Sequence, residues 1–228
     1  KKLRNKEAVE FTENDAGIGK GYKKYNALQT AIGERAFVDD LRFKGMLHAA
    51  LKFSDHPKAR VLNIDTTVAE ALPGVHRVFT AKDIPGEQKV GLILQDWPVM
   101  IGTGETTHYI GDVLAGVVAD TDELARQAIE LIKVEYEVYA PVSDVFEAID
   151  GVRVHPERPN NFDTTTFTIG NFDDAFKNAE FKSEGHYQTQ RVEHGFMEKE
   201  AAVALPDGNG GMILYSQSQG VYEDRRQV

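Results

Sequence analysis

Cysteine is absent from all 228 residues, which excludes disulfide staples, thiolate zinc sites and iron–sulfur ligation within this segment. Any metal has to be supplied from elsewhere. Positive charge is in deficit as well: Lys+Arg number 26 against 36 Asp+Glu, a net charge of −10, a balance that repels nucleic-acid phosphates and anionic membrane surfaces. Only the start of the chain is locally basic. There Lys1, Lys2, Arg4 and Lys6, with Lys20, Lys23 and Lys24, are diluted by Glu7, Glu10, Glu13 and Asp15, the pattern of a solvated arm rather than of a binding tail. No apolar run approaches the roughly 20 residues that cross a bilayer, and the lysine-rich start lacks the apolar stretch and small-residue cleavage site of a signal peptide. A cytoplasmic chain without nucleic acid or membrane as a partner is expected.

Familiar catalytic signatures are missing too. The seven histidines, His48, His56, His76, His108, His155, His186 and His194, form no i, i+4 pair and no H-E-x-x-H, so no metal-ligating residue is assigned. Gly17, Gly19 and Gly21 are followed by Tyr22 and preceded by no strand, which argues against a dinucleotide or phosphate loop. Ser54-Asp55-His56 is a local triplet without a G-x-S-x-G elbow; a nucleophile, base and orienter meet through the fold rather than along consecutive residues.

What is present is an α/β (α+β) pattern. Residues 1–27 read as a leader or linker, broken by glycines. Met46 to Phe53 and Ala59 to Asp65 read as strands about the turn Ser54-Asp55-His56-Pro57. Thr67 can cap a short helix through Leu72, which Pro73-Gly74 terminates before a strand from Val75 to Thr80. The run Val113-Leu114-Ala115-Gly116-Val117-Val118-Ala119 is continuously apolar, as in a strand buried on both faces. Asp120-Thr121-Asp122 offers caps for a helix whose apolar residues Leu124, Ala128, Ile129 and Ile132 recur at helical spacing, and Val134 to Val138 alternates as a strand with one wet face. Helices packed on a mixed sheet account for this order.

Pro141 and a short helix over 144–149 close this first domain, assigned to 28–150. The stretch from Asp150 to Asn161 has no apolar period and marks a boundary. Beyond it, in an incomplete second α+β domain over 151–228, strands are expected at Thr164–Ile169, Phe181–Gln190, Ala201–Leu205 and Met212–Ser216, with a helical insert at Asp173–Ala179. Pro206-Asp207-Gly208-Asn209-Gly210-Gly211 is a hairpin signal, because these residues tolerate positive φ. From Tyr222 to Val228 the chain reads as the first turns of a helix with no stop signal, so more chain is expected downstream.

Two polar segments are candidates for chemistry. In Glu193-His194-Gly195-Phe196-Met197-Glu198 two carboxylates and an imidazole crowd a segment between strands; acid–base work would need them in a cleft, and a polar bend that satisfies backbone groups explains the composition as well. Gln217 and Gln219 sit where a strand ends and a helix begins, the usual place for ligand groups in α/β enzymes, and an amide can both donate and accept. Composition and spacing lead no further.

The sequence resembles the molybdenum hydroxylases of the xanthine dehydrogenase and aldehyde oxidase family, specifically their large molybdopterin-binding chain. The likeness is carried by Gly19-Lys20 through Asn26-Ala27, Gly33-Glu34-Arg35-Ala36-Phe37-Val38-Asp39-Asp40-Leu41, Gly45-Met46-Leu47-His48-Ala49, Ala69-Glu70-Ala71-Leu72-Pro73-Gly74-Val75, Val78 to Gly86, and Tyr109-Ile110-Gly111-Asp112-Val113-Leu114-Ala115. It implies a hammerhead-type first domain and, from the block around Glu193–Glu198, the start of a molybdopterin-binding domain. Gln95-Asp96-Trp97-Pro98-Val99-Met100 leans toward the selenium-dependent xanthine dehydrogenase branch. Ser218-Gln219 matches the family's Ser/Thr-Gln, whose amide contacts the metal's apical oxo ligand. Gln219 is the catalytic candidate this implies, with Gln219 and the adjoining Gly220 as cofactor contacts.

The resemblance implies oxidative hydroxylation of a purine such as xanthine or hypoxanthine with water as the oxygen source, as part of purine catabolism. A hydroxylase of aldehydes or other N-heterocycles is the alternative within the family, and a non-catalytic module docking electron-transfer partners is the alternative outside it. Iron–sulfur clusters and FAD would lie on other domains or subunits of an oligomer. The glycine-rich cofactor loops and a general base are missing from these residues, so the segment by itself is expected to be inactive.

Overall fold

A computed structural model of the chain describes residues 24–161 and 163–228. The leader glycines and most of the basic arm lie outside the described residues. The elements in order are α1 (Ala27–Ala31), a 3-10 turn at Val38–Asp40, β1 (His48–Phe53), β2 (Ala59–Asp65), α2 (Thr67–Glu70), β3 (Val75–Thr80), a 3-10 turn at Ala81–Asp83, β4 (Lys89–Val90), β5 (Trp97–Pro98), β6 (Val113–Ala119), α3 (Asp122–Glu130), β7 (Lys133–Val138), α4 (Val145–Ile149), α5 (Phe172–Asn178), β8 (Ala202–Pro206), β9 (Met212–Ser216) and α6 (Val221–Gln227). The chain divides into two compact units. The larger comprises Phe43–His194 with Arg225–Val228, the smaller residues 24–42 with Gly195–Asp224.

In the larger unit β6 is the central strand of a three-stranded sheet ordered β1-β6-β3, and β2 pairs with β7 in a second sheet. Every one of these ladders is antiparallel. The mixed sheet expected from the strand, helix, strand order is therefore corrected in its detail: α2 links β2 to β3 and α3 links β6 to β7, and in both cases the linked strands belong to different sheets. A helical crossover imposes parallel pairing only when its two strands share a sheet.

The core follows from the apolar run in β6. Ala115 and Val117, fully buried, pack with Ala69, Val78, Ala128 and Ile132, while Leu114 packs with Val61 and Ile101. α3 lies on β1 and β6 and buries Ala125 and Ala128 completely. Its start is fixed by Thr121, whose Oγ1 accepts from the Leu124 amide at 3.1 Å, satisfying one of the donors that a helix leaves unpaired at its first turn. The loop before β3 needs its glycine: Gly74 has φ +89°, and a Cβ there would meet Leu124 Cδ2 at 2.8 Å.

Some expectations are corrected locally. α2 begins one residue earlier than a Thr67 cap requires; Thr67 is its first residue and donates its amide to Asp65 Oδ1 at 3.0 Å, while the Thr66 hydroxyl reaches Glu70 at 2.7 Å. The strands expected at Thr164–Ile169 and Phe181–Gln190 do not form. Their β-branched and aromatic residues have the composition of strands, but that preference is realised only against a paired neighbour, and neither segment is paired. α5 occupies the place expected of the helical insert.

In the smaller unit β8 and β9 form an antiparallel hairpin in register from Ala202↔Ser216 to Pro206↔Met212. Asp207 closes its turn by accepting from the amides of Asn209 and Gly211 at 2.7 and 2.9 Å, with Gly208 and Gly210 at positive φ. Lys199 pairs with Asp39 at 2.9 Å. No helix among the described residues is long and apolar enough to cross a membrane.

Candidate cofactor-contact site

β9 ends at Ser216, and the backbone continues the pairing for one further residue: the Gln217 amide donates to the Ala201 carbonyl at 3.1 Å. The chain then bends through Ser218 and Gln219 into α6. Two contacts fasten this bend. The Ser216 hydroxyl donates to Asp224 Oδ2 at 2.5 Å, and Ser218 Oγ accepts from the Gly220 amide at 2.8 Å. Hydrogen bonds from the hydroxyls of Ser216 and Ser218 hold the Asp224 carboxyl below the usual carboxylate range, against a smaller opposing effect of burial.

The two residues implied by the resemblance differ in what the geometry leaves them. Gln219 is exposed, and its carboxamide is a donor and an acceptor without a hydrogen-bond partner among the described residues. That donor set suits an oxygen ligand or a pterin edge. Gly220 has no positive φ, and a Cβ added to it would touch Glu223 Cβ at an ordinary 3.5 Å; its amide is already given to Ser218. Its contribution is limited to leaving the backbone uncovered.

The other segments singled out in the sequence are not gathered here. Glu193, His194 and Glu198 stand in irregular chain, and His194 makes a local hydrogen bond, its backbone N–H donating to Glu193 Oε1 at 3.1 Å. Ser54-Asp55-His56 is a turn: Ser54 Oγ donates to the His56 carbonyl at 2.7 Å and accepts from the His56 amide at 3.1 Å. The histidines that find carboxylates do so singly, His76 with Asp120, His108 with Asp112 and His155 with Asp96. Among the described residues no group of three or more His, Asp or Glu side chains is placed to hold a metal ion.

Sequence reasoning missed Asp224, which contacts Ser216 across the strand, bend and helix start, a spacing that no local rule covers. It also missed a buried polar seam in the larger unit. Thr107 Oγ1 accepts from the Ala59 amide at 2.9 Å and lies 3.0 Å from the His56 carbonyl. Asp112, almost wholly buried, takes the amides of His108 and Tyr109. A buried polar side chain such as Thr107 within Thr106-Thr107-His108 is signalled only by the absence of any apolar period.

Comparison with known proteins places both parts of the chain. Residues 32–140 match the a/b hammerhead domain of aldehyde oxidase and xanthine dehydrogenase. Residues 154–228 match a molybdopterin cofactor-binding domain. The chain belongs to the aldehyde oxidase and xanthine dehydrogenase family. Among relatives in this family, a probable xanthine dehydrogenase subunit from Bacillus subtilis is 34% identical over 86% of this chain and 26% of its own length. The "Nicotinate dehydrogenase large molybdopterin subunit" of Eubacterium barkeri is 30% identical over 92% of this chain and 49% of its own. The solved aldehyde oxidoreductase of Desulfovibrio gigas superposes with a TM-score of 0.72 at 27% identity, covering 88% of this chain and 24% of that one. The chain thus spans from about a quarter to about half the length of these family members. An α+β hammerhead domain and a molybdopterin cofactor-binding domain are the two parts that the comparisons match.

Proposed function

We propose that this chain is a segment of a molybdenum hydroxylase that oxidatively hydroxylates a purine such as xanthine or hypoxanthine, with water as the oxygen source. The observation that carries this reading is the Gln219 carboxamide, without a hydrogen-bond partner among the described residues and exposed at the junction of β9 and α6 within the segment that matches a molybdopterin cofactor-binding domain. When bound, the molybdenum cofactor supplies the two-electron acceptor that hydroxylation needs. Gln219 would hold that group by donating and accepting hydrogen bonds through its carboxamide, the kind of outer contact that tunes a metal site; Gly220 would leave the neighbouring backbone open to it. The hammerhead part, which we assign to 28–150, is scaffold, and 151–228 forms one wall of the cofactor site. Iron–sulfur clusters and FAD on other domains or subunits of an oligomer would supply the onward electron acceptors.

A second reading, hydroxylation of an aldehyde or another N-heterocycle, is supported by the nicotinate and aldehyde names of two of the relatives. Selenium dependence is proposed from the residues Gln95 to Met100 alone. The test is elemental analysis for molybdenum and selenium on the full-length native protein, purified anaerobically, with xanthine-, nicotinate- and aldehyde-dependent dye reduction on the same sample. Molybdenum near one per chain with purine turnover upholds the proposal, and selenium in equal amount upholds the branch. Turnover of nicotinate or aldehyde alone transfers the assignment to the second reading. A folded, metal-free and inactive protein overturns both.

A further inference from the structure

Ser216-Gln217-Ser218-Gln219 leaves β9 with hydroxyls and carboxamides in strict alternation. Alternate residues of extended chain face opposite ways, so the two hydroxyls share a side, the side on which Asp224 stands. Ser216 Oγ donates to Asp224 Oδ2, and the Ser218 hydroxyl, which accepts from the Gly220 amide, also helps to hold that carboxyl below its ordinary range. Asp224 in turn is fixed in the first turn of α6, where its amide donates to the Gly220 carbonyl at 3.0 Å. With Gln217 N–H on Ala201 and Gly220 N–H on Ser218, the residues flanking Gln219 are fastened while its own side chain has no hydrogen bond among the described residues.

We propose that Asp224 is the positioning residue of the Gln219 loop, a carboxylate that draws Ser216 and Ser218 to one side and so presents the Gln219 carboxamide on a fixed backbone. This rests on the reading of Gln219 as a cofactor contact. A carboxylate suits the task because it only accepts: two hydroxyls can share it, and hydroxyl-to-carboxylate hydrogen bonds are shorter and stronger than neutral ones. A carboxamide on an unfastened loop would have to be ordered each time it met its ligand, whereas the clamp meets that entropic cost during folding. Asparagine at 224 would keep the shape but turn one acceptor into a donor, leaving one hydroxyl without a place; glutamate would keep both acceptors.

The test uses the full-length cofactor-loaded protein carrying Asp224→Asn, Asp224→Glu, Ser216→Ala, Ser218→Ala, the Ser216→Ala/Asp224→Asn pair, and Gln219→Ala as the reference. Amide exchange at 217–220 should accelerate by about tenfold or more in Asp224→Asn while β8 stays unchanged, and Asp224→Glu should restore it. The molybdenum paramagnetic resonance spectrum should change in Asp224→Asn, with kcat falling by about tenfold, the lower end of what outer-shell partners contribute, and KM unmoved. The pair should be no worse than Asp224→Asn alone, because both changes break one contact. Unchanged exchange at 217–220, or strictly additive effects in the pair, overturns the proposal. If Asp224→Asn does not fold, Ser218→Ala must show the same local exchange change or the proposal fails. A silent Gln219→Ala overturns the cofactor-contact reading and this inference with it; a disabled Gln219→Ala beside a silent Asp224→Asn overturns the inference alone.

Discussion

β6 carries Val113-Leu114-Ala115-Gly116-Val117-Val118-Ala119 and is buried along most of its length, whereas β9, Met212-Ile213-Leu214-Tyr215-Ser216, is exposed at every residue. Both are apolar, and both are hydrogen-bonded. They differ in what covers them: β6 has a strand on either edge and α3 across one face, while β9 has a single neighbouring strand, β8. A strand's apolar content therefore states how much burial it can use, and the number of layers around it decides how much it receives. A two-stranded hairpin on its own is marginal in water.

The largest expected contrast is in hydrogen exchange. Amides of β6 should be protected close to the limit set by global unfolding, and those of β8 and β9 should exchange orders of magnitude faster in the same 228-residue chain; uniform protection across both would break the comparison. Truncation should separate the strands next. Leu114→Ala, at a site with no exposure, should cost about 2–5 kcal/mol, whereas Leu214→Ala, at 37% exposure, should cost less than about 1 kcal/mol, both read from denaturant midpoints. Thr107→Val tests the polar seam beside β2. It leaves the Ala59 amide without its acceptor and should cost about 1–3 kcal/mol, with no counterpart in the hairpin.

The smallest effect is a pH dependence of the larger unit. His108 is raised above its ordinary value by its contact with Asp112, which outweighs burial. Its contribution is thus complete below about pH 6.5 and lost as pH climbs through the raised value. Burial alone would raise Asp112, but the His108 ring and the His108 and Tyr109 amides together hold it below its ordinary value. Its contribution is present above about pH 3.9 and lost as pH falls through the lowered value. Melting temperature against pH should show a plateau between these limits, and His108→Gln should remove the decline on its alkaline side.

How much of this was legible in the sequence depended on whether the signal was local. β2 and β6 stand where the alternation and the apolar run put them, and the Thr121 cap could be read from Asp120-Thr121-Asp122, because strand period and capping are decided within a few residues. Which strands pair was not legible: β2 finds β7 and β3 finds β6 only because α2 and α3 each carry the chain from one sheet to the other. The strands expected at Thr164–Ile169 and Phe181–Gln190 failed for the same reason, since propensity cannot supply a partner. Gln219 came to notice through its place at a strand end and through a family resemblance, and Asp224 through neither, since its contact with Ser216 spans three different local conformations.

The sheet-switching helices also bear on how the chain reaches its native state. His48 pairs with Ala119, and Ala59 with Val138, so the first strands of the hammerhead to leave the ribosome wait for nearly its last strand before either sheet can close. Long-range closure of this kind slows folding and lengthens the time for which strand edges stand open. Two helices that each carry the chain from one sheet to the other tie the closure of both sheets to the same late strands, so that during synthesis β1 and β2 are the segments whose edges stay open longest.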